Sequence, residues 1–538
     1  MQKEEQRRNY LLLYINGVRI EVRGEAVMRP LSDFLREELR LTGTKIVCAE
    51  GDCGACTVMV IAGDKIRIVN SCIAPLYLFD CQHLVTVEGL TVNGELNPVQ
   101  QALVTHHGTQ CGFCTPGFVV ALTALVANRQ RARTINEFQP QQELVQQELV
   151  QQELGGNLCR CTGYQGIIDA AKSIDIESIP FVLAHLLHPE IERDLQLHRT
   201  TELLIEQEQH QQQDQQRRLF APTTLAAALA FLADSSSEGG AGPCLVVAGA
   251  SDLGVQFNKR KRTLPSRILS LSAISDPKLC TVAITVAEGG GRQLVIGGKV
   301  TLAQWRDAMQ EMPELQQIPE LFEINNFLQY FASPQIRTVA TLAGNIANAS
   351  PIGDTLPLLL VTDSRLELQS VRGSRIVALK EYFLGYRQSV LAKDELITRI
   401  FIPLLPLRPS LALPQQLGWR LRLYKISRRK NLDISTVSVA FMAHFSDDWS
   451  TILEIRVGLG GVAATPVRVP LVEDFLRNKC YGEWGEKEWE ELGKVLQKAI
   501  TPISDLRADA AYRMQIVLNH FKKFFLECNL ECNRRDNE

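Results

Sequence analysis

Eight of the fourteen cysteines in this 538-residue chain form two groups of four within its first 161 residues. Cys48, Cys53 and Cys56 read C-x4-C-x2-C, with Cys72 following. This is the plant-type spacing for a [2Fe-2S] cluster. Three thiolates on one short loop share a cluster only if the backbone curls around it, and Gly51 and Gly54 permit the positive φ angles that such a loop needs. A curled loop also aims N–H groups at sulfur, which helps set a reduction potential. Zinc accepts four thiolates too, but its structural sites usually pair two short knuckles, a poor match to a triplet with one distant cysteine. The second group joins Cys111 and Cys114, C-x2-C, to Cys159 and Cys161, C-x-C. By spacing alone it suits zinc as well as iron–sulfur. Two four-thiolate sites in one chain point to electrons moving between one-electron centres.

At 45% hydrophobic and 22% charged, the chain is ordinary for a globular protein, and its length suggests three to four domains. A formal net charge of −3 gives no overall basic field for nucleic acid or an anionic membrane. No apolar run approaches the ~18 residues of a transmembrane helix. The charged start, Met1 to Arg8, does not read as a secretory signal, and ligand-spaced cysteines without one indicate a reducing cytoplasm. Cys81, Cys244, Cys280, Cys480, Cys528 and Cys532 show no strong ligand pattern and read as ordinary thiols.

Leu11–Ile15 and Val18–Val22 are strand-like and flank Asn16-Gly17, a strong hairpin signal. Leu31–Leu41 reads as an amphipathic helix, and residues 98–107 and 117–128 read as helices after Asn97-Pro98. Gln-Gln-Glu-Leu-Val repeats at 141 and 146 and closes as Gln-Gln-Glu-Leu-Gly at 151. A five-residue period walks around a helix, so Leu144, Leu149 and Leu154 make no stripe; the repeat reads as a tandem expansion whose last copy leads to Cys159. Residues 205–218 are polar and low in complexity, with His210 read as solvated, and Ser235–Gly240 is a second flexible stretch.

Thr109–Gly117 and Gly156–Tyr164, around the second quartet, resemble the second [2Fe-2S] domain of the molybdenum hydroxylases, the family typified by xanthine dehydrogenase and aldehyde oxidase. The first quartet resembles that family's β-grasp ferredoxin domain, with Val47 where the family carries glycine. Cys244–Gly254 reads as a buried strand running into a tight small-residue loop, where backbone N–H groups are able to approach a diphosphate. It is not G-x-G-x-x-G, which disfavours a Rossmann site. Phe331–Asp354 packs Gly, Ala, Ser, Thr and Asn into one stretch and resembles the FAD domain of the same family, which shares its fold with the vanillyl-alcohol-oxidase (PCMH-like) flavoproteins.

The resemblance implies that Val247, Ala248, Gly249, Ala250, Ser251, Asp252, Leu253 and Gly254, with Thr341, Ala343, Gly344 and Asn345, cradle the FAD pyrophosphate. It places Asp354 on flavin hydroxyls, Phe331 near the adenine or diphosphate, Ile397 against the flavin, and Lys425 and Tyr386 as flavin-side candidates. The implied fold is a multidomain α+β chain: a β-grasp [2Fe-2S] ferredoxin domain at 9–92, a helical-bundle [2Fe-2S] domain at 93–180, and a linker at 181–218. A two-subdomain α+β FAD domain follows at 219–405 and a small α+β C-terminal domain at 415–527. Because 538 residues leave no room for a molybdopterin region, the resemblance implies the iron–sulfur/FAD small subunit of a two-subunit xanthine dehydrogenase. Purine hydroxylation is then expected in a molybdopterin-binding large subunit, the assembly being a dimer of heterodimers. Electrons are expected to pass to the second quartet, the first quartet, FAD and then NAD+. The alternatives are the equivalent subunit of a hydroxylase acting on aldehydes or aromatic heterocycles, and a non-enzymatic zinc and flavin interaction module.

Overall fold

The computed structural model describes residues 7–135, 147–207, 217–236, 244–404 and 418–535, apart from a few single positions and pairs inside those spans. The first copy of the repeat, 141–145, lies outside the described residues, as do residue 146, His210 and residues 237–243. The chain forms two units: one of residues 1–276 and 332–340, the other of 277–331 and 341–538.

In the first unit, Leu11–Ile15 and Val18–Val22 pair as the expected hairpin, with Asn16 and Gly17 at φ 51° and 83°. Both central residues of a two-residue turn that matches strand twist need positive φ, which Asn-Gly supplies at low cost. The sheet order is 18–22, 11–15, 82–85, 57–62, 65–70, with 11–15 parallel to 82–85. That mixed sheet, one face covered by Leu31, Phe34 and Leu35, is the β-grasp. The expected helix at 31–41 is instead a single α-turn, Leu31–Asp33, running into a wider π-turn, Phe34–Glu38. The helical domain follows. Its first helix, Pro98–Thr105, has a reciprocal cap between Asn97 and Gln100 and proline at the first position. The helix Thr115–Ile135 is its spine; Val150 and Leu154, four residues apart on Gln147–Glu153 and just beyond it, are buried in the same core. Within 181–218, expected as linker, lie the helix Pro189–Arg199 and the strand Leu203–Gln207. That strand pairs with Arg217–Ala221, and parallel pairing with Arg267–Ser270 and Cys244–Val247 completes a four-stranded sheet.

The second unit has an antiparallel five-stranded sheet, ordered 282–286, 292–297, 396–403, 365–370, 373–378. Its C-terminal part is an antiparallel sheet of 419–426, 437–445, 452–460 and 467–468, against which the helices Glu486–Ala499 and Ala510–Arg535 bury Leu492, Leu496, Phe521, Phe524 and Phe525. Arg513 on the last helix is buried and donates to the carbonyls of Thr436 and Gly461 and to Asp505, so that helix is a packing element. Among the described residues no helix is long and apolar enough to cross a membrane.

Candidate functional site

The first quartet sits on a loop that turns through three left-handed residues, Ala49, Gly51 and Gly54, at φ 54°, 75° and 67°. Ala49 is strained there, because its Cβ crowds the following carbonyl. Asn70 Nδ2 donates to the Gly51 carbonyl at 2.7 Å, and the Glu50 N–H points at Cys48 Sγ, 3.5 Å away. Val47 keeps a negative φ and is 57% exposed, so its branched side chain meets no crowding. Cys48 is in contact with Cys53 and Cys72, and Cys56 with Cys72. These contacts pull the Cys48 and Cys56 thiols down and push Cys53 and Cys72 up, burial opposing the first two and reinforcing the others. Four crowded thiols that cannot all ionise together fit a centre whose own positive charge relieves the repulsion.

The second quartet joins two loops. Cys111 and Cys161 stand 3.7 Å apart at the surface, and Cys114 and Cys159 touch beneath them. Burial and the Cys159 contact push the Cys114 thiol up to about 12. Burial also raises Cys159, but the Thr162 hydroxyl and N–H, 3.1 and 3.5 Å from its sulfur, outweigh that and lower it. Tyr164, itself left-handed at φ 68°, accepts the Cys159 N–H with its hydroxyl at 3.0 Å. The contacts run Cys111 to Cys161 and Cys114 to Cys159 here, and Cys53 to Cys48 to Cys72 to Cys56 in the first quartet. Each quartet gathers four thiols in mutual contact, a donor set that fits a [2Fe-2S] cluster.

The flavin candidates are divided between the units. In the first, the strand Cys244–Val247 leads into Ala248–Gly254. A Cβ on Gly249 would lie 1.8 Å from the Val339 carbonyl oxygen, so only glycine allows this approach. Ala250 is left-handed at φ 54°. Leu253 begins a short helix, Asp252 accepts from Gln256, and Gly254 abuts the Ile73 carbonyl next to Cys72. Ala248 and Ser251 are half-buried.

In the second unit, Thr341 caps the helix Leu342–Ala347 by accepting the Gly344 N–H at 2.9 Å, and Asn345 accepts from Thr355. The Gly344 N–H is therefore already engaged, but a Cβ there would meet only Thr341 Oγ1, leaving room on that side. Ala343 is buried. Asp354 and Lys425, both 7% exposed, form an ion pair that Ser435 extends at 2.8 Å. Asp354 Oδ1 is buried and meets no hydrogen-bond donor among the described residues, a vacancy that a ligand hydroxyl fits. Lys425 also borders a cavity of about 330 Å³ with Glu323, Phe327, Tyr330, Ser427 and Arg429. Phe331 ends the helix Pro319–Tyr330, 6.5 Å from the Phe327 ring. Ile397 is buried in the strand Leu396–Pro403, and Tyr386 is 62% exposed in a tight turn.

Three side chains outside the sequence candidates also hold these loops. Asn258 donates to the carbonyls of Ala49 and Cys72, both at 2.8 Å. Asn157 and Gln335 form a buried polar group against Thr57. Asn157 and Gln335 lie inside the stretches that carry the resemblance and Asn258 lies outside them, but none is a sequence candidate, and only its position shows what each does.

Residues 13–76 match the 2Fe-2S iron-sulfur cluster binding domain and 86–172 the [2Fe-2S] binding domain. Residues 213–405 match the FAD binding domain in molybdopterin dehydrogenase, and 422–528 the CO dehydrogenase flavoprotein C-terminal domain. The chain is 28% identical to xanthine dehydrogenase 1 of Arabidopsis thaliana over 96% of its own length and 39% of that protein's. It is 31% identical to xanthine dehydrogenase of Drosophila subobscura over 88% of its length and 36% of that protein's. A solved carbon monoxide dehydrogenase from Hydrogenophaga pseudoflava is 23% identical, with 57% of this chain and 94% of that one covered at a TM-score of 0.47. The chain thus spans about two fifths of the curated relatives it matches. It belongs to the molybdenum hydroxylase family, of which it carries two [2Fe-2S] domains, an FAD-binding domain and the C-terminal flavoprotein domain.

Proposed function

We propose that the chain is the electron-transfer subunit of a xanthine dehydrogenase. In this reading it works beside a molybdopterin-binding large subunit that hydroxylates purines, hypoxanthine to xanthine to urate, in a dimer of heterodimers, and it delivers electrons to NAD+ in the cytoplasm. The observation that carries the reading is the gathering of eight cysteines into two four-thiol groups, in a chain that also matches an FAD domain. When bound, the clusters exchange single electrons and FAD exchanges two, which couples one-electron centres to hydride chemistry at NAD+.

The residues divide the work as follows. Cys48, Cys53, Cys56 and Cys72 hold one cluster, and Cys111, Cys114, Cys159 and Cys161 the other. Residues 247–254, Phe331, Thr341, Ala343, Gly344, Asn345, Asp354, Ile397 and Lys425 hold FAD, with Tyr386 on the flavin side. The proposed domain limits are those stated from the sequence, except that residues 181–218 include the helix Pro189–Arg199, and the strand Leu203–Gln207 joins the sheet of Arg217–Ala221. The exposed pair Cys111 and Cys161, with Phe113 51% exposed between Gly112 and Cys114, is the face offered to the large subunit. Affinity purification of the tagged chain from its native cell tests the reading. A molybdopterin-containing partner and xanthine-dependent NAD+ reduction are expected; a partner acting only on aldehydes or heterocycles, or no partner, would overturn it.

A further inference from the structure

The two thiol groups meet directly through backbone. The Leu158 N–H, one residue before Cys159, donates to the carbonyl oxygen of Cys53 at 3.0 Å. This contact links a residue of one quartet to the neighbour of a residue of the other. It exists because three glycines converge. A Cβ on Gly54 would lie 2.2 Å from the Gly156 carbonyl, and one on Gly117 would lie 2.4 Å from the Gly54 carbonyl.

A buried polar group braces the junction, complete except for Gln335 Oε1, which meets no donor among the described residues. Asn157 Nδ2 donates to the Gly54 carbonyl at 3.0 Å and to Thr57 Oγ1 at 3.2 Å. Thr57 donates in turn to Gly54 at 2.6 Å. Gln335 Nε2 donates to Asn157 Oδ1 at 2.8 Å and to Thr57 Oγ1 at 3.2 Å. A hydroxyl has one donor and two acceptor sites, and Thr57 uses all three. Thr57, Asn157 and Gln335 are at most 2% exposed. Buried amides are costly unless paired, so such a group specifies one arrangement of its neighbours. Gln335 is the member that comes from outside the iron–sulfur domains. Its segment is held in place by Thr338, which donates to the Ile68 carbonyl at 2.7 Å, and by Ile336, which packs beside Cys56 and Cys72.

We propose that Gln335 is a positioning residue for electron passage between the two clusters. It fixes Asn157, which fixes Gly54, so that the Cys53 carbonyl meets the Leu158 N–H. This rests on the two-cluster reading of the quartets. Gln335→Met keeps the volume and removes both donors. Gln335→Glu keeps the shape and supplies a donor only when protonated, a state that burial favours as pH falls.

The test uses the full chain. Iron and sulfide are counted, the fully reduced EPR spectrum is read for magnetic splitting between the two centres, and their equilibration is followed by freeze-quench EPR after one-electron photoreduction. Gln335→Met is expected to keep both signals, weaken the splitting, and equilibrate measurably more slowly than the unmutated chain. Gln335→Glu is expected to regain speed as the pH is lowered, where the unmutated chain does not. Unchanged splitting and rate in Gln335→Met, loss of a cluster in it, or a pH-independent Gln335→Glu would overturn this inference alone. An unmutated chain without both signals would overturn the cluster reading with it.

Discussion

Asp354→Ala gives the strongest test of how the flavin half is built. The substitution removes the partner of Lys425, whose ammonium is as buried as the carboxylate. Breaking a buried pair from one side leaves an uncompensated charge and costs about 3–5 kcal/mol. Ser435 still accepts from Lys425 at 2.8 Å, which places the loss at about 3 kcal/mol, the lower end of that range. A domain of this size would lose roughly 6–12 °C in Tm. All five tryptophans, Trp305, Trp419, Trp449, Trp484 and Trp489, lie in the second unit, so the fluorescence melt of the chain reports that unit without the first. Asp354→Ala combined with Lys425→Met removes the stranded charge and is expected to recover most of the loss. A change under about 1 kcal/mol in the single variant, well short of the cost of a stranded charge, would refute the argument. So would a double variant no more stable than the single one.

Four further outcomes follow from the geometry. Burial holds His83 at about 4, and its Nε2 accepts the Gly17 N–H at 3.1 Å. The unfolded chain therefore binds more protons between about 6.5 and 4, and stability present above that window is lost as pH falls: about 2 kcal/mol from pH 7 to 5. Hydrogen exchange in the strands Leu11–Ile15 and Val18–Val22 is the readout, and His83→Gln should flatten the dependence. Gly249→Ala forces a Cβ into the Val339 carbonyl and should melt that region of the first unit, as seen by circular dichroism. Gly344→Val faces open space apart from Thr341 Oγ1 and should keep its fold while losing FAD, as measured by released flavin; normal flavin content would show that the site is misplaced. Cys53→Ser and Cys114→Ser should each abolish a different EPR signal, and loss of the same signal in both would disprove two separate centres.

The sequence carries most of what is local. Asn16-Gly17 specifies its hairpin, Asn97-Pro98 opens a helix with a reciprocal cap, and the cysteine spacing marks loops whose left-handed residues the backbone displays. It is weaker where distant residues decide. Leu31–Leu41 has a helical pattern, yet the chain widens at Phe34–Glu38 into a π-turn as Leu31, Phe34 and Leu35 dock on the sheet. The strand Leu203–Gln207 sits beside a low-complexity run and is specified by its partner Arg217–Ala221. The sequence marks Lys425 as a flavin-side candidate only through resemblance, and its partner Asp354, 71 residues away, is visible only in the fold. Gln335 finds Asn157 across 178 residues and Thr57 across 278, separations that no local pattern records.

The central claim is that the eight cysteines hold two iron–sulfur clusters. Iron, acid-labile sulfide and zinc measured on the anaerobically purified full chain, with EPR after dithionite reduction, test it most directly. About four irons, four sulfides and two distinct reduced-cluster signals per chain are expected from two [2Fe-2S] centres. Stoichiometric zinc without labile sulfide would contradict it.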